Sequence, residues 1–534
     1  ASVLVLDLAF VLTTTATATP SSTQLDLVVV GLGPSGLTAM ATAAAGRIPV
    51  LRPLQHLHPA GSALADALPL PLVHALALAS DAGLARLDGR SDAPAALLVD
   101  AHAAPRADDP HHSGYGLAES ALDMVSSDVA TALNVLAVGD APPGGSWHAM
   151  AAHMATLSPG EWMALPGMPF WPWLLCSTPD ALFNAVLLPH HADAEHELRA
   201  ELAAVTPQLC APKNLSSTAW LRSLDDATLL REALAFARPR RQLVVDYYAA
   251  YPAAMALPPD TIKHGYRVVA VDLAPDGAGF DLVALRCDAP GPHAPLRLSS
   301  RAVVLALGMY GNPKMLGVPG EDLPLVHHRT AAVDDLDPDL AATVVIVGDG
   351  LSAADALAAL LGDGYSCRVV HLFRRDTDGE LSLDSYRGAD DEYPEYARVL
   401  ELMEGTATHT RYSGMEGKAI ARITSAGQVV LSDGSILVDV SAVLVLIGST
   451  PDLGLLSPSL LERLGIGAPD SQDVLRKPLA VHPRTFEVRA VPSLYAVGPL
   501  AGENFVRFNV GTALAAAYTA VLRALAATQH AVAA

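Results

Sequence analysis

Basic residues are scarce in this chain: 34 Lys and Arg stand against 56 Asp and Glu, a formal charge of -22 over 534 residues. A field of that sign repels phosphate backbones and anionic lipid headgroups, which argues against nucleic acid as a partner. Cysteine is scarcer still. Cys176, Cys210, Cys287 and Cys367 are the only four, and their wide spacing argues against a redox pair, a zinc knuckle or a disulfide framework. Long apolar runs are missing too. The sequence is 51% hydrophobic, but much of that is Ala, and charge or proline cuts each apolar run before the roughly 18 residues a span needs. The expectation is a soluble protein without a membrane span, placed in the cytoplasm, with organelle targeting left open by an atypical N-terminus. No Gly-x-Ser-x-Gly elbow occurs, so no hydrolase nucleophile competes. His111 and His112 sit in an acidic, proline-flanked loop with no third ligand at a useful spacing, so no metal site is expected.

A length of 534 residues is roughly three to four typical domains, enough for several units with large cores. Residues 1–22, apolar and then Thr/Ala-rich, read as a leader or disordered segment outside the fold. From Leu25 the pattern becomes specific. A Val-rich run ending at Val30 is followed by Gly31-Leu32-Gly33-Pro34-Ser35-Gly36 and then by a small-residue helical pattern to about Ala45. Such a strand, turn and helix bind a pyrophosphate: the first Gly makes the turn, the second lets phosphate approach the backbone, and the third lets helix and strand pack closely. Gly31, Gly33, Ser35 and Gly36 are therefore cofactor-binding candidates.

An acid expected some 20 residues later, to hold a ribose hydroxyl, is missing, because the next apolar run ends Val50-Leu51-Arg52-Pro53. A later strand candidate, Asn134 to Val138, is followed by Asp140 and then Gly144-Gly145-Ser146-Trp147. If the intervening segment is an insertion, Asp140 meets the adenosine ribose; otherwise it is a solvated turn residue.

The same grammar returns at Val344 to Val347, then Gly348-Asp349-Gly350-Leu351-Ser352-Ala353, then a helix through Leu361 and a strand ending in Arg374-Arg375. Two dinucleotide-binding units in one α/β chain are implied, with Gly348, Gly350, Ser352 and Ala353 at the second turn. Paired guanidiniums where an acid usually stands suit the 2'-phosphate of NADP rather than NAD, or else form a solvated strand edge. Between the units, Ala192 to Val205 reads as helix, as does a stretch ending in Tyr247, Tyr248 and Tyr251, whose helical spacing suits a core stripe or a substrate channel.

Gly144-Gly145-Ser146-Trp147, Ala306-x-Gly308 and Gly348-x-Gly350-x-Ser352-Ala353-x-Asp355 occur in the order seen in flavin-containing monooxygenases, which the chain resembles. Closer still, Pro142 to Met150, Leu157 to Pro166, Tyr393 to Tyr396, Leu444 to Asp452 and above all Gly498 to Phe508 resemble the oxidative stress-induced growth inhibitor family. That resemblance implies an FAD domain in two segments, 23–335 and 441–534, with an NADPH domain, 336–440, inserted between them. It also implies flavin reduction by NADPH and activation of molecular oxygen at flavin C4a toward a small-molecule substrate. Gly144, Gly145 and Trp147 are then FAD contacts. Two features depart from the monooxygenase pattern: Pro324-Leu325-Val326-His327-His328 keeps only the histidines of the usual linker, and Pro499 rather than Asp follows Gly498.

Near Gly498 the sequence predicts a Gly-rich turn and a helix starting near Gly511, its N-terminus aimed at the flavin ring where negative charge appears on reduction. Asn504 and Arg507 just before it are the catalytic candidates, as added donors, or else they cap and pack a tight turn. An NADPH oxidase or reductase without oxygen transfer, and a growth-control protein on a flavoprotein scaffold, are the alternatives. Oligomeric state is left open.

Overall fold

A computed structural model describes residues 24–533 apart from 54–68, 80–90, 92, 104–119, 128–132, 179, 181–182, 188–191, 210–223, 225–226, 292, 340, 388–392 and 467–478. Residues 1–22, expected as a leader or disordered segment, and the His111–His112 loop lie outside the described residues.

Strands whose side chains are apolar at every position, not at every second one, belong in parallel sheets covered on both faces. Leu25–Val30 is close to such a strand, apolar at every position but Asp26, with Leu27 to Val30 all buried. It lies between two parallel neighbours, Val135–Gly139 and Leu296–Leu305. The sheet continues outward to Ile262–His264 on one side. On the other side, Leu296–Leu305 pairs with Phe280–Arg286 and also with Leu494–Ala496 near the end of the chain. The strand Arg47–Leu51, which follows the first helix, is not in this sheet; it pairs antiparallel with Leu70–Pro71 and Leu122–Ser126. The strand beside the first one thus comes from about a hundred residues later, and Asp140 follows it directly.

Five parallel strands form the second sheet, in the order Val326–His327, Val440–Val445, Thr343–Val347, Arg368–Phe373, Tyr412–Glu416. Its member Val326–His327 falls outside the 336–440 span expected from sequence, and Val440–Val445 runs past the end of it. A strand of two residues carries little pattern of its own, and a strand that follows a long excursion gives no sign of which sheet it joins, so the sequence alone sets these boundaries too tightly. The chain passes between the two sheets at Asn312–Pro313 and returns at Ser449–Thr450, and these two crossings pair with each other antiparallel.

The helix Pro34–Ala43 has Pro at its first position, where the missing N–H costs no hydrogen bond. It packs against the first sheet and against the long C-terminal helix Val506–Ala533. Small side chains let these helices approach: Ala39, Ala41, Ala43 and Ala513 to Ala517 (with Leu514 among them) are fully buried. Val506–Ala527 is long and apolar enough to cross a membrane, but 72% of its most apolar window is buried inside the protein, so its apolarity serves the core. Tyr247, Tyr248 and Tyr251 are core residues: all three rings are fully buried, and their hydroxyls donate to the carbonyls of Met168, Met163 and Pro166. Against the sequence expectation, Cys176 is disulfide-bonded, since separation along a chain does not fix separation in space. Cys287 and Cys367 are free.

Candidate functional site

In the first Gly-rich turn the three glycines meet three different surroundings. A Cβ on Gly31, whose φ is +114°, would lie 2.3 Å from the Ala306 carbonyl oxygen, and one on Gly36 would lie 2.0 Å from the Gly31 oxygen. Both positions are closed to any side chain. Gly33 has nothing within 4 Å of its Cβ position, and it caps the N-terminus of the Pro34–Ala43 helix. Unpaired N–H groups and the positive end of a helix dipole therefore face open space. The second turn repeats the pattern. A Cβ on Gly348 would lie 2.3 Å from the Leu446 oxygen, while Gly350, capping the helix Leu351–Leu361, again has nothing within 4 Å. Ala353, in the third position, is buried. Each turn is a cradle shaped for a diphosphate.

The Gly144–Gly145 loop lies directly on the first turn. Gly144 N–H donates to the Leu32 carbonyl at 2.8 Å, and a Cβ on Gly145 would come within 2.9 Å of Gly33. Deeper in, Gly498 sits beside Ser35, with 2.7 Å between its Cβ position and the Ser35 hydroxyl. Asn509 Oδ1 is 3.4 Å from the same position and is buried without a hydrogen-bond partner. An orphaned acceptor next to a hydroxyl suits a ligand rich in hydroxyl donors, such as a sugar or polyol chain.

Between the two units lies a cavity of about 270 Å³. Ser146 and Trp147 line it from the first unit, Leu351, Ser352 and Gly448 from the second, and Asn504, Phe505 and Val506 from the C-terminal turn. Met150, Met154, Met163 and Leu157 make much of the remaining wall apolar. Of the residues expected from sequence, the cavity thus gathers Trp147, Ser352 and Asn504. The C-terminal helix begins at Val506, not near Gly511, so its N-terminus does reach the cavity. Gly511 instead lies inside the helix, its Cβ position 2.6 Å from Ala95 O and Ala96 Cα, and serves contact with the Pro94–Ala103 helix. A packing glycine and a turn glycine look alike in one dimension, which is why the sequence pattern places the helix start too late.

Arg507 also departs from expectation. Its guanidinium forms a two-pronged ion pair with Asp100 of the Pro94–Ala103 helix, with Nη2 to Oδ2 at 2.9 Å, and stacks 4.3 Å over the Trp162 ring. Both charged side chains are more than nine-tenths buried. Arg507 is thus a pinned structural cation rather than a free donor at the cavity.

Two carboxylates that the sequence pattern leaves without a role have strong geometry. Asp355 lines the cavity and accepts from the Tyr396 hydroxyl at 2.9 Å; burial pushes it up to about 6 against the pull of that hydrogen bond. Glu321 accepts from the N–H groups of Leu316 and Gly317, each at 2.7 Å, and from His328 Nε2 at 3.0 Å. Burial opposes its ionisation, yet the donors prevail and hold it below the usual carboxylate range. His328 lines the cavity, so its ring is oriented there by Glu321. Asp355 has a visible signal in the Gly348 to Asp355 run; Glu321 has none.

At the strand ends, Asp140 is exposed and pairs with Arg267 at 3.4 Å. Arg374 is exposed and makes no ion pair or hydrogen bond among the described residues. Arg375 is engaged, donating to Glu416 at 3.1 Å and to the Gly379 carbonyl at 3.2 Å. No cluster of three or more metal-ligating side chains occurs among the described residues.

Against this geometry, the mouse protein named oxidative stress-induced growth inhibitor 1 is 32% identical over 93% of this chain and 95% of its own length. The chain belongs to the oxidative stress-induced growth inhibitor family. The human protein named oxidative stress-induced growth inhibitor 2 is 28% identical over 92% of both chains. Within this family member, residues 294–473 match a pyridine nucleotide-disulphide oxidoreductase model, a stretch that includes the whole second sheet. Among solved structures, bacillithiol disulfide reductase from Bacillus cereus covers 94% of the chain and 99% of its own with a TM-score of 0.51 at 15% identity. An α/β fold is shared across that distance.

Proposed function

We propose that this growth-inhibitor homologue is an FAD-dependent, NADPH-using, monooxygenase-like oxidoreductase with FAD on the first unit and NADPH on the second. The observation that carries the reading is the pair of cradles, each closed at its first position and open at its second, on two units that share one cavity. Bound flavin would supply hydride acceptance from NADPH and electron delivery to oxygen. The chain's own part is binding, orientation and exclusion of water. Gly33 and Gly350 leave room for the two pyrophosphates at helix N-termini. Ser35 and Asn509 supply polar atoms for the flavin's polyol chain, and Asp140 stands at the strand end where a ribose hydroxyl is held. The Val506 helix start offers backbone N–H groups to negative charge on the reduced ring. Methionines and Trp147 keep the cavity walls apolar, which strengthens these interactions.

The purified protein is expected to be yellow and to lose its visible flavin absorbance on anaerobic NADPH addition. On admission of oxygen with a substrate, oxygenated product should match NADPH consumed; stoichiometric hydrogen peroxide instead marks an oxidase. A protein without flavin or NADPH turnover overturns the reading in favour of a growth-control scaffold.

Arg374, the unengaged one of the paired cations, is assigned the 2'-phosphate. Arg374→Ala is expected to weaken NADPH about tenfold, the size of one charged hydrogen bond, and to leave NADH nearly unchanged. Arg375→Ala should do less, because that side chain is held by Glu416 and Gly379. Steady-state KM values for the two nucleotides decide between these outcomes.

A further inference from the structure

The two cradles differ in one respect that their shared pattern does not require. In the first, the Gly31 carbonyl lies over Gly36, 2.0 Å from where a Cβ would stand. In the second, the matching position is Ala353, whose methyl occupies that space, and the Gly348 carbonyl instead accepts from His371 Nε2 at 2.6 Å. His371 is the register partner of Ile346, two residues before Gly348. The matching position in the first sheet, opposite Val29, is Ala137, which has no side-chain donor.

His371 is fully buried, a polar residue inside the apolar strand Arg368–Phe373. A carbonyl only accepts, so Nε2 carries the proton and Nδ1 accepts from the Tyr412 hydroxyl at 3.1 Å. Burial drives the imidazole down to about 4, which keeps it neutral and this tautomer in place at ordinary pH. The preceding peptide is fixed as well, because the Gly348 N–H donates to the Leu372 carbonyl at 3.0 Å. In a trans peptide the carbonyl and the next N–H point in opposite directions. With the Gly348 carbonyl drawn in to a buried side chain, the Asp349 N–H faces the other way, and it makes no hydrogen bond among the described residues. The Asp349 carboxylate is meanwhile turned aside by Ser382, whose N–H and hydroxyl donate to it at 3.1 and 2.7 Å.

We infer that His371 is a positioning residue for pyridine-nucleotide binding: by clamping the Gly348 carbonyl it aims the Asp349 N–H at the pyrophosphate, replacing the carbonyl–glycine contact that Ala353 forbids. The inference rests on the proposed assignment of the second unit to NADPH. Because the pyrophosphate is common to both nucleotides, the effect of His371 is blind to the 2'-phosphate, unlike that of Arg374.

The test is binding of NADPH and of NADH to the flavin-loaded full chain, titrated without oxygen and followed by tryptophan fluorescence. His371→Phe is expected to raise Kd for both nucleotides by about tenfold, the weight of one hydrogen bond to a fixed group, with flavin content unchanged. Adding Ala353→Gly to it should recover much of the loss, since the carbonyl regains the position used in the first turn. Tyr412→Phe, which keeps the clamp but frees Nδ1, should weaken both nucleotides by roughly twofold to threefold and supplies the measurement if the Phe variant does not fold. Unchanged Kd values for both nucleotides in folded His371→Phe, or in Tyr412→Phe where that is the variant measured, overturn the inference. Failure of the wild-type protein to bind either nucleotide overturns the functional reading itself.

Discussion

Gly33→Val is expected to yield a folded protein that carries almost no flavin. The native φ at this position is -74°, ordinary for any residue, and nothing stands within 4 Å of the Cβ. The valine Cβ therefore meets no protein atom within 4 Å, and its methyls project toward the space assigned to the pyrophosphate. Loss of that approach should cost roughly a hundredfold or more in FAD affinity, near 2.7 kcal/mol. The ratio of absorbance at the flavin band to that of the protein band measures it, with circular dichroism to confirm the fold. Full flavin retention would remove the first turn from the cofactor site. Gly36→Val is the control of opposite kind: its Cβ would lie 2.0 Å from the Gly31 oxygen, so it should damage folding itself.

Arg507→Ala should act on stability before it acts on chemistry. The substitution strands the Asp100 carboxylate, 7% exposed, without its guanidinium partner. Breaking a buried pair from one side costs about 3–5 kcal/mol, and the lost stacking on Trp162 adds to it. Thermal or urea unfolding of the holoprotein reads the loss. A double replacement, Arg507→Met with Asp100→Leu, should recover much of it, because apolar side chains of similar size remove the need for the pair. A stability change below about 1 kcal/mol in Arg507→Ala, at the level of an exposed pair, would mean the pair is solvated rather than buried, and a shifted flavin midpoint potential in that protein would return Arg507 to the cavity.

Whether a feature of the fold or of the candidate site is legible in the sequence depends on whether it is local. The Gly31 to Gly36 and Gly348 to Ala353 turns are readable because strand, turn and helix are consecutive, and the open space at Gly33 and Gly350 belongs to those same local turns. Asp140 is half readable: the strand before it announces itself, but only the sheet shows that this strand, and not Arg47–Leu51, stands beside Leu25–Val30. Arg507 is misread because its partner is 407 positions away, and no local signal distinguishes a paired arginine from a free one. Of Arg374 and Arg375, the sequence does not say which is already engaged by Glu416. His371 does leave a trace. A histidine within Val369-Val370-His371-Leu372-Phe373 is a polar side chain in a run that otherwise reads as buried on both faces, and such a residue must find partners.

The crossing of the chain between its two sheets at Asn312–Pro313 and Ser449–Thr450 has a consequence for the order in which the protein is made. The inner unit is contiguous: its five strands all lie between Val326 and Glu416 or at Val440–Val445, so its sheet can close as soon as that stretch has left the ribosome. The outer unit cannot close then. Its strand Leu296–Leu305 waits for Leu494–Ala496, and its first helix waits for the helix Val506–Ala533, so its core joins residues made far apart in time. Contacts that distant are slow to form and leave apolar surface exposed meanwhile. A nascent chain stopped before Leu494 thus holds a finished inner sheet beside an open outer one whose apolar core faces are still uncovered.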